Sequence, residues 1–181
     1  MRVYPLPMLC LLAAGLVACS NSGRHDTITS YLSIHDGSVA VHAPGRADAD
    51  ISATGDLSIA GTDIAVTPAQ RELLQRYYTT ALTLRDHGIA TGNAGIATAG
   101  KAISSVATGL ASGNPDKIAS EVDASAAKVE AQANLVCSDL ATLQSTQQTL
   151  AAQLPAFQPY ALIKDHEAAD CQRGLNTSDR S

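Results

Sequence analysis

Apolar positions recur with two different periods along this chain. Over residues 28–66 they alternate. Asp36-Gly37 is a favoured two-residue hairpin turn, and centring a hairpin on it pairs Ile34 with Val39 and Leu32 with Val41. The opposite face then carries Tyr31, Ser33, Ala40 and His42. A slip of one residue would destroy that separation of faces. A second hairpin is expected to turn at Gly61-Thr62, pairing Ile59 with Ile64 and Leu57 with Val66. Residues 47–53 are expected to supply a strand between the two. The prediction is an antiparallel meander over residues 28–66 with one apolar face, too small to persist without a helix covering it.

From Thr67 onward the period becomes helical. Thr67-Pro68-Ala69-Gln70 combines a cap, a proline suited to the first helical position and a capping box. Leu73, Leu74, Tyr77, Tyr78, Ala81 and Leu82 follow at helical spacing, and no proline occurs from Ala69 to Asn114. The pattern predicts a first helix over residues 68–112, continuous or kinked near Gly88. Asn114-Pro115-Asp116 starts a second helix, predicted over 115–154 and stopped by Pro155 and Pro159. A short C-terminal helix is expected over 160–173, bending back near Ala156, with residues 176–181 as a tail. The fold class is α+β: a meander packed on the base of a long antiparallel helical hairpin, in one domain over residues 28–175.

Within the first helix a repeat of seven stands out. Ile89, Ile96, Ile103 and Leu110 hold one heptad position, and Gly92, Ala99, Val106 and Gly113 hold the position three further on. Gly88, Gly95, Ala102 and Gly109 line the adjacent edge. Such a repeat marks a helix that packs along a seam, and small residues beside it permit close backbone approach. The partner is expected to be the second arm of the hairpin, so that leucine at Gly92, Gly95 and Ala99 would disrupt it. Self-association or an envelope partner is the alternative. Membrane insertion is the weakest reading, since Gly, Ser and Thr are too frequent for a spanning segment.

Composition adds location. Val3 to Val17 is an apolar run behind Arg2, followed by Leu16-Val17-Ala18-Cys19-Ser20. The run reads as a secretory signal peptide over residues 1–18. Its end resembles the bacterial lipoprotein box. That resemblance implies lipidation of Cys19, a membrane anchor and, with Ser20 rather than Asp after the cysteine, the periplasmic side of a Gram-negative outer membrane. An ordinary signal peptide with a chance cysteine is the alternative. Residues 19–27 read as a short flexible tether. Loss of residues 1–18 takes basic residues from 12 to 11 against 17 acidic ones, so the net charge moves from −5 to −6. That argues against a nucleic-acid partner. Cys137 and Cys171 remain for an oxidising compartment, and a disulfide between them is expected, with two separate thiols as the alternative.

The hairpin Asp56-Leu57-Ser58-Ile59 with Ile64-Ala65-Val66, running into Thr67-Pro68-Ala69-Gln70 and Leu73-Leu74-Gln75-Arg76-Tyr77-Tyr78, resembles the YggN-like group of proteobacterial envelope proteins. The resemblance covers mainly residues 54–80. It implies a periplasm-facing protein and carries over no catalytic residue.

Candidate chemistry is sparse. Asp48-Ala49-Asp50 opens like a calcium loop, but Ala53 and Ile59 stand where glycine and glutamate are required. His35 and His42 share a hairpin face, but strand rise separates them by about 13 Å, which argues against a shared metal. His166, Glu167 and Asp170 read as a solvated helix end before a weak metal site. No nucleophile elbow, phosphate loop or His-Glu-x-x-His pattern occurs. The expectation is a non-catalytic envelope lipoprotein without metal or cofactor, acting through contacts. A module binding a lipid or small apolar ligand between sheet and helices is the alternative. An enzyme would require polar groups clustered around His42, Tyr31 or the first-helix tyrosines.

Overall fold

The sheet is a plain meander whose strands pair in sequence order, and it leaves both its edges to the outermost strands. The computed structural model describes residues 30–112 and 115–178. The strands are β1 (Leu32–His35), β2 (Ser38–Val41), β3 (Ala49–Ser52), β4 (Leu57–Ile59) and β5 (Thr62–Ile64). The first hairpin has the expected register, with Ile34 opposite Val39 and Leu32 opposite Val41. Asp36 and Gly37 both take positive φ, as its tight turn demands.

The second hairpin departs from expectation by two residues. Ile59 pairs with Thr62 and Leu57 with Ile64. The turn is Ala60-Gly61, with φ of 52° and 73°. A primed turn needs positive φ at both central residues, and this one takes an alanine there, which no turn rule selects. A shift of two keeps every side chain on its original face, so the apolar side survives.

Helix α1 runs without a break from Pro68 to Ser112, and α2 from Pro115 to Gln153. At 1.5 Å per residue α1 is about 65 Å long. Its start is tied twice. The Thr67 amide donates to Gln70 Oε1 at 2.9 Å and the Gln70 amide to Thr67 Oγ1 at 3.3 Å, closing the capping box. Gln70 Nε2 also donates to the Gln153 carbonyl at 2.7 Å, joining the foot of α1 to the end of α2.

Those two feet cover the sheet. Val39, Val41, Ala49, Ile51 and Leu57 from the sheet meet Leu74, Tyr77 and Ala81 of α1 and Leu140, Leu143, Leu150 and Leu154 of α2. Phe157 is fully buried and meets the Tyr77 ring edge-on at 5.7 Å. Burial pushes the Tyr77 phenol pKa up.

The C-terminal segment differs from the predicted helix over 160–173. Pro155–Tyr160 is a 3-10 helix, and α3 spans Glu167–Ser178, into the stretch expected to be a tail. The intervening segment is held by a buried side chain. Gln147 of α2 accepts from the Ile163 amide at 3.2 Å and donates to the Ile163 carbonyl. That clamp satisfies the backbone without a helix. Cys137 of α2 and Cys171 of α3 form a disulfide across a separation of 34 residues, a loop whose closure is worth about 3–4 kcal/mol.

Beyond the sheet the two helices continue together, but over residues 87–99 the expected seam is not what joins them. The face of α1 turned to α2 is His87, Thr91, Ala94 and Thr98. Thr91 and Thr98 return their hydroxyls to the carbonyls of His87 and Ala94, each at 2.8 Å, and Thr98 also reaches the Ser125 carbonyl at 3.4 Å. With their polar atoms satisfied, threonines pack as small apolar groups. Ile89 and Ile96 are consequently left 55 % and 75 % exposed. A Cβ placed on Gly88, Gly92 or Gly95 would meet nothing within 4 Å. The expected disruption by bulk at Gly92 and Gly95 has no contact to act through. Ala99 is exposed as well. The side chains of Ile103, Val106 and Leu110 lie outside the described residues.

Two stability predictions result. The double variant Gly92→Ala/Gly95→Ala should gain up to about 1 kcal/mol per site from helix propensity; urea unfolding that shows a loss would restore close packing there. Gly55→Ala should lose about 1–3 kcal/mol or more, since Gly55 has φ of 77° and a Cβ there would overlap the Arg71 carbonyl oxygen.

Candidate functional site

Helix α1 lies over β2 and β3. The inner side chains of β1, Leu32 and Ile34, therefore project past the helix and stay half-buried. Between them and the helical hairpin lies an open groove of about 610 Å³. Leu32 and Ile34 form one wall. Ala81, Leu84, Gly88 and Ile89 of α1 and Val136 and Leu140 of α2 form the rest, with Arg85 at the rim. The size falls within the range of small-ligand sites.

Arg85 is the charged residue among those lining the groove. Arg85 donates through Nε and Nη2 to Asp86 Oδ1 at 2.9 and 2.7 Å. His87 Nδ1 lies 2.6 Å from Asp139 Oδ2, a partly buried pair that pins α1 to α2 beside Gly88 and Leu140. Neither pair leaves a free charge facing the apolar walls, so the groove suits an uncharged chain.

A second arrangement occupies the other face of the same strands. Asp48 stands directly opposite His42, one residue beyond the Val41–Ala49 pair. His42 Nδ1 lies 2.8 Å from Asp48 Oδ1. His42 Nε2 lies 2.6 Å from Ser33 Oγ, and His35 Nε2 lies 2.7 Å from the same oxygen. The protons follow by elimination. The carboxylate only accepts, so His42 Nδ1 carries a hydrogen, and in the neutral imidazole Nε2 then accepts from the Ser33 hydroxyl. The Ser33 oxygen then accepts from His35 Nε2–H. All the groups are partly or fully open to solvent; the His42 and Asp48 side chains are 36 % and 50 % exposed.

Strand rise separated the two histidines by about 13 Å. Their side chains lean along the strands toward each other and share Ser33. Backbone spacing argues against a shared metal but does not reveal that both rings reach the Ser33 hydroxyl. The signal was present: alternation places 33, 35, 42 and 48 on one face. Among the described residues no group of three or more His, Cys, Asp or Glu could hold a metal ion. His166 and Asp170 approach only to 3.9 Å on the exposed start of α3.

Of the other predicted site residues, Cys137 and Cys171 are joined. Gly88 and Ile89 reach the groove. Gly92, Gly95, Ile96 and Ala99 continue outward from it along α1. Cys19 lies outside the described residues. No described helix is long and apolar enough to cross a membrane. Compared with protein-family models, curated proteins and solved structures, the chain matches none, so the YggN-like resemblance rests on the residues quoted for it.

Proposed function

We propose that this is a lipid-anchored protein of the bacterial cell envelope, facing the periplasm, that holds an apolar chain in the groove between β1 and the helical hairpin. The groove is the observation that carries the reading: eight apolar or glycine residues from three elements around about 610 Å³. A tightly filled contact between sheet and helices would have argued against it. Holding a chain there needs no reacting group, and the groove walls offer none. The lipoprotein box at Cys19 supports the anchor, and the surplus of acidic residues argues against nucleic acid as partner.

A second reading is contact with another envelope protein or a second copy through α1. The exposed Ile89 and Ile96 favour it, since large apolar side chains on one helix face are what a partner would cover.

Gly88 separates these readings from a purely structural role. It lines the groove, and a Cβ there meets nothing within 4 Å. Gly88→Phe should fill the groove while leaving the fold intact. Apolar ligand retained by the wild type in native mass spectrometry, or a fluorescent fatty alcohol added to it, should bind at least about tenfold more weakly, the cost of losing about 1.4 kcal/mol of contact. Equal binding by both proteins would refute the groove as the site. For the anchor, Cys19→Ala should move the protein from the membrane fraction to the soluble periplasmic fraction; unchanged membrane association would refute lipid attachment at that residue.

A further inference from the structure

We propose that Ser33, His42 and Asp48 form a hydrolytic centre for short-chain carboxylic esters. The proposal is independent of the groove, because alternation along β1 puts Ser33 on the opposite face of the sheet from Leu32 and Ile34.

Three geometric roles are filled. They are a nucleophile, a base hydrogen-bonded to it, and a third group that orients the base. Ser33 Oγ–H donates to His42 Nε2 at 2.6 Å. His42 Nδ1–H donates to Asp48 Oδ1 at 2.8 Å, fixing the tautomer in which Nε2 is the base. His35 Nε2 lies 2.7 Å from Ser33 Oγ and holds the hydroxyl from its other side. Ser33 and His42 are the catalytic residues. Asp48 is a positioning residue.

The register makes the set dependable. His42 and Asp48 are cross-strand neighbours, and Ser33 is the diagonal neighbour of His42, separated by the Ser33–Ala40 pair. Ser33 lies on β1, while His42 and Asp48 sit one residue beyond the ends of β2 and β3, where the His42 amide still donates to the Tyr31 carbonyl at 2.8 Å.

The chemistry closes on itself. Ser33 Oγ bonds to the ester carbonyl carbon as its proton passes to His42 Nε2. The bond from that carbon to the alcohol oxygen breaks, and the alcohol leaves with the proton from His42. Water then attacks the acyl-serine, giving one proton to His42. That proton returns to Ser33 Oγ as the carboxylic acid departs.

The openness of the face sets the substrate class. Ser33 and His42 are only partly buried and His35 and Asp48 are exposed, so the face encloses a long acyl chain little. An acetyl or similarly short acyl group, carried on an alcohol bulky enough to lie across the strands, fits a flat and accessible sheet.

The test uses the intact protein with p-nitrophenyl acetate and a fluorophosphonate probe. The expected result is a single phosphonyl adduct that peptide mass spectrometry places on Ser33, with acetate release well above free imidazole. Ser33→Ala should abolish both. Asp48→Asn preserves size but offers His42 Nδ1 no lone carboxylate acceptor; its kcat should fall about 10²-fold or more with KM unchanged, a split that a structural role would not produce. No adduct on Ser33, or hydrolysis that survives Ser33→Ala, overturns the proposal. Should Ser33→Ala fail to fold by circular dichroism, wild-type labelling and the Asp48→Asn split decide the question alone: equal kcat in that variant overturns it.

Discussion

Everything in this molecule depends on covering one side of a small sheet. Five strands of three or four residues each cannot bury enough apolar surface alone. Val39, Val41, Ala49, Ile51 and Leu57 become a core only because the feet of α1 and α2 close over them. The feet are held by devices local to that junction. The capping box fixes where α1 begins, Gln70 ties it to the last carbonyl of α2, and Tyr160 donates its hydroxyl to the Ala47 carbonyl at 2.7 Å across 113 residues of chain. The single phenylalanine and two of the tyrosines are concentrated here. A chain this poor in aromatics places them where sheet, hairpin and C-terminal segment meet.

The rest of the hairpin is built on another principle. Past Gly88 there is no sheet to cover, and α1 meets α2 through alanine and threonine. Each threonine that closes its hydroxyl on a carbonyl one turn back removes its own desolvation cost. This contact is thin in apolar area. The disulfide compensates lower down, fastening α3 to α2 at Cys137, where the side chain is almost fully buried. Among the described residues of its heptad stripe, Ile89 and Ile96 stay exposed, and a Cβ at Gly92 or Gly95 would meet nothing within 4 Å.

How much of this was legible from residues alone depended on whether the information was local. The Asp36-Gly37 turn and the Thr67–Gln70 box are short motifs with one geometry each, and both stand as read. The second hairpin was misplaced by two residues because its turn uses Ala60 at positive φ, a choice that tertiary context imposed against propensity. The start of α3 was missed because Gln147, sixteen residues away, captures the Ile163 backbone. A heptad reveals that a stripe exists but not toward which neighbour it turns. Here two stripes competed on α1, and the one with satisfied hydroxyls took the inner position. The groove was anticipated only as a location. Its existence follows from an offset between α1 and β1 that no residue pattern encodes. The Ser33 cluster was within reach of face-by-face reading, and was lost by measuring between backbones rather than along side chains.

Strand β1 links the two candidate sites through a single constraint. Leu32 and Ile34 face the groove, while Ser33 and His35 face His42. Side chains on a strand alternate strictly, so both surfaces are set by one register. Slipping β1 by a residue would place a hydroxyl and an imidazole against Leu84 and Val136 and turn Leu32 and Ile34 toward water. Both surfaces would fail together. Partial desolvation of two polar groups against that half-buried wall, up to about 1–3 kcal/mol each, guards the register. An edge strand ordinarily lacks such protection, since only one neighbour holds it. The turn at Asp36-Gly37 supplies the other guard, because its two-residue length admits one pairing only. The polar face thus contributes to keeping the apolar groove open, even though the two never touch.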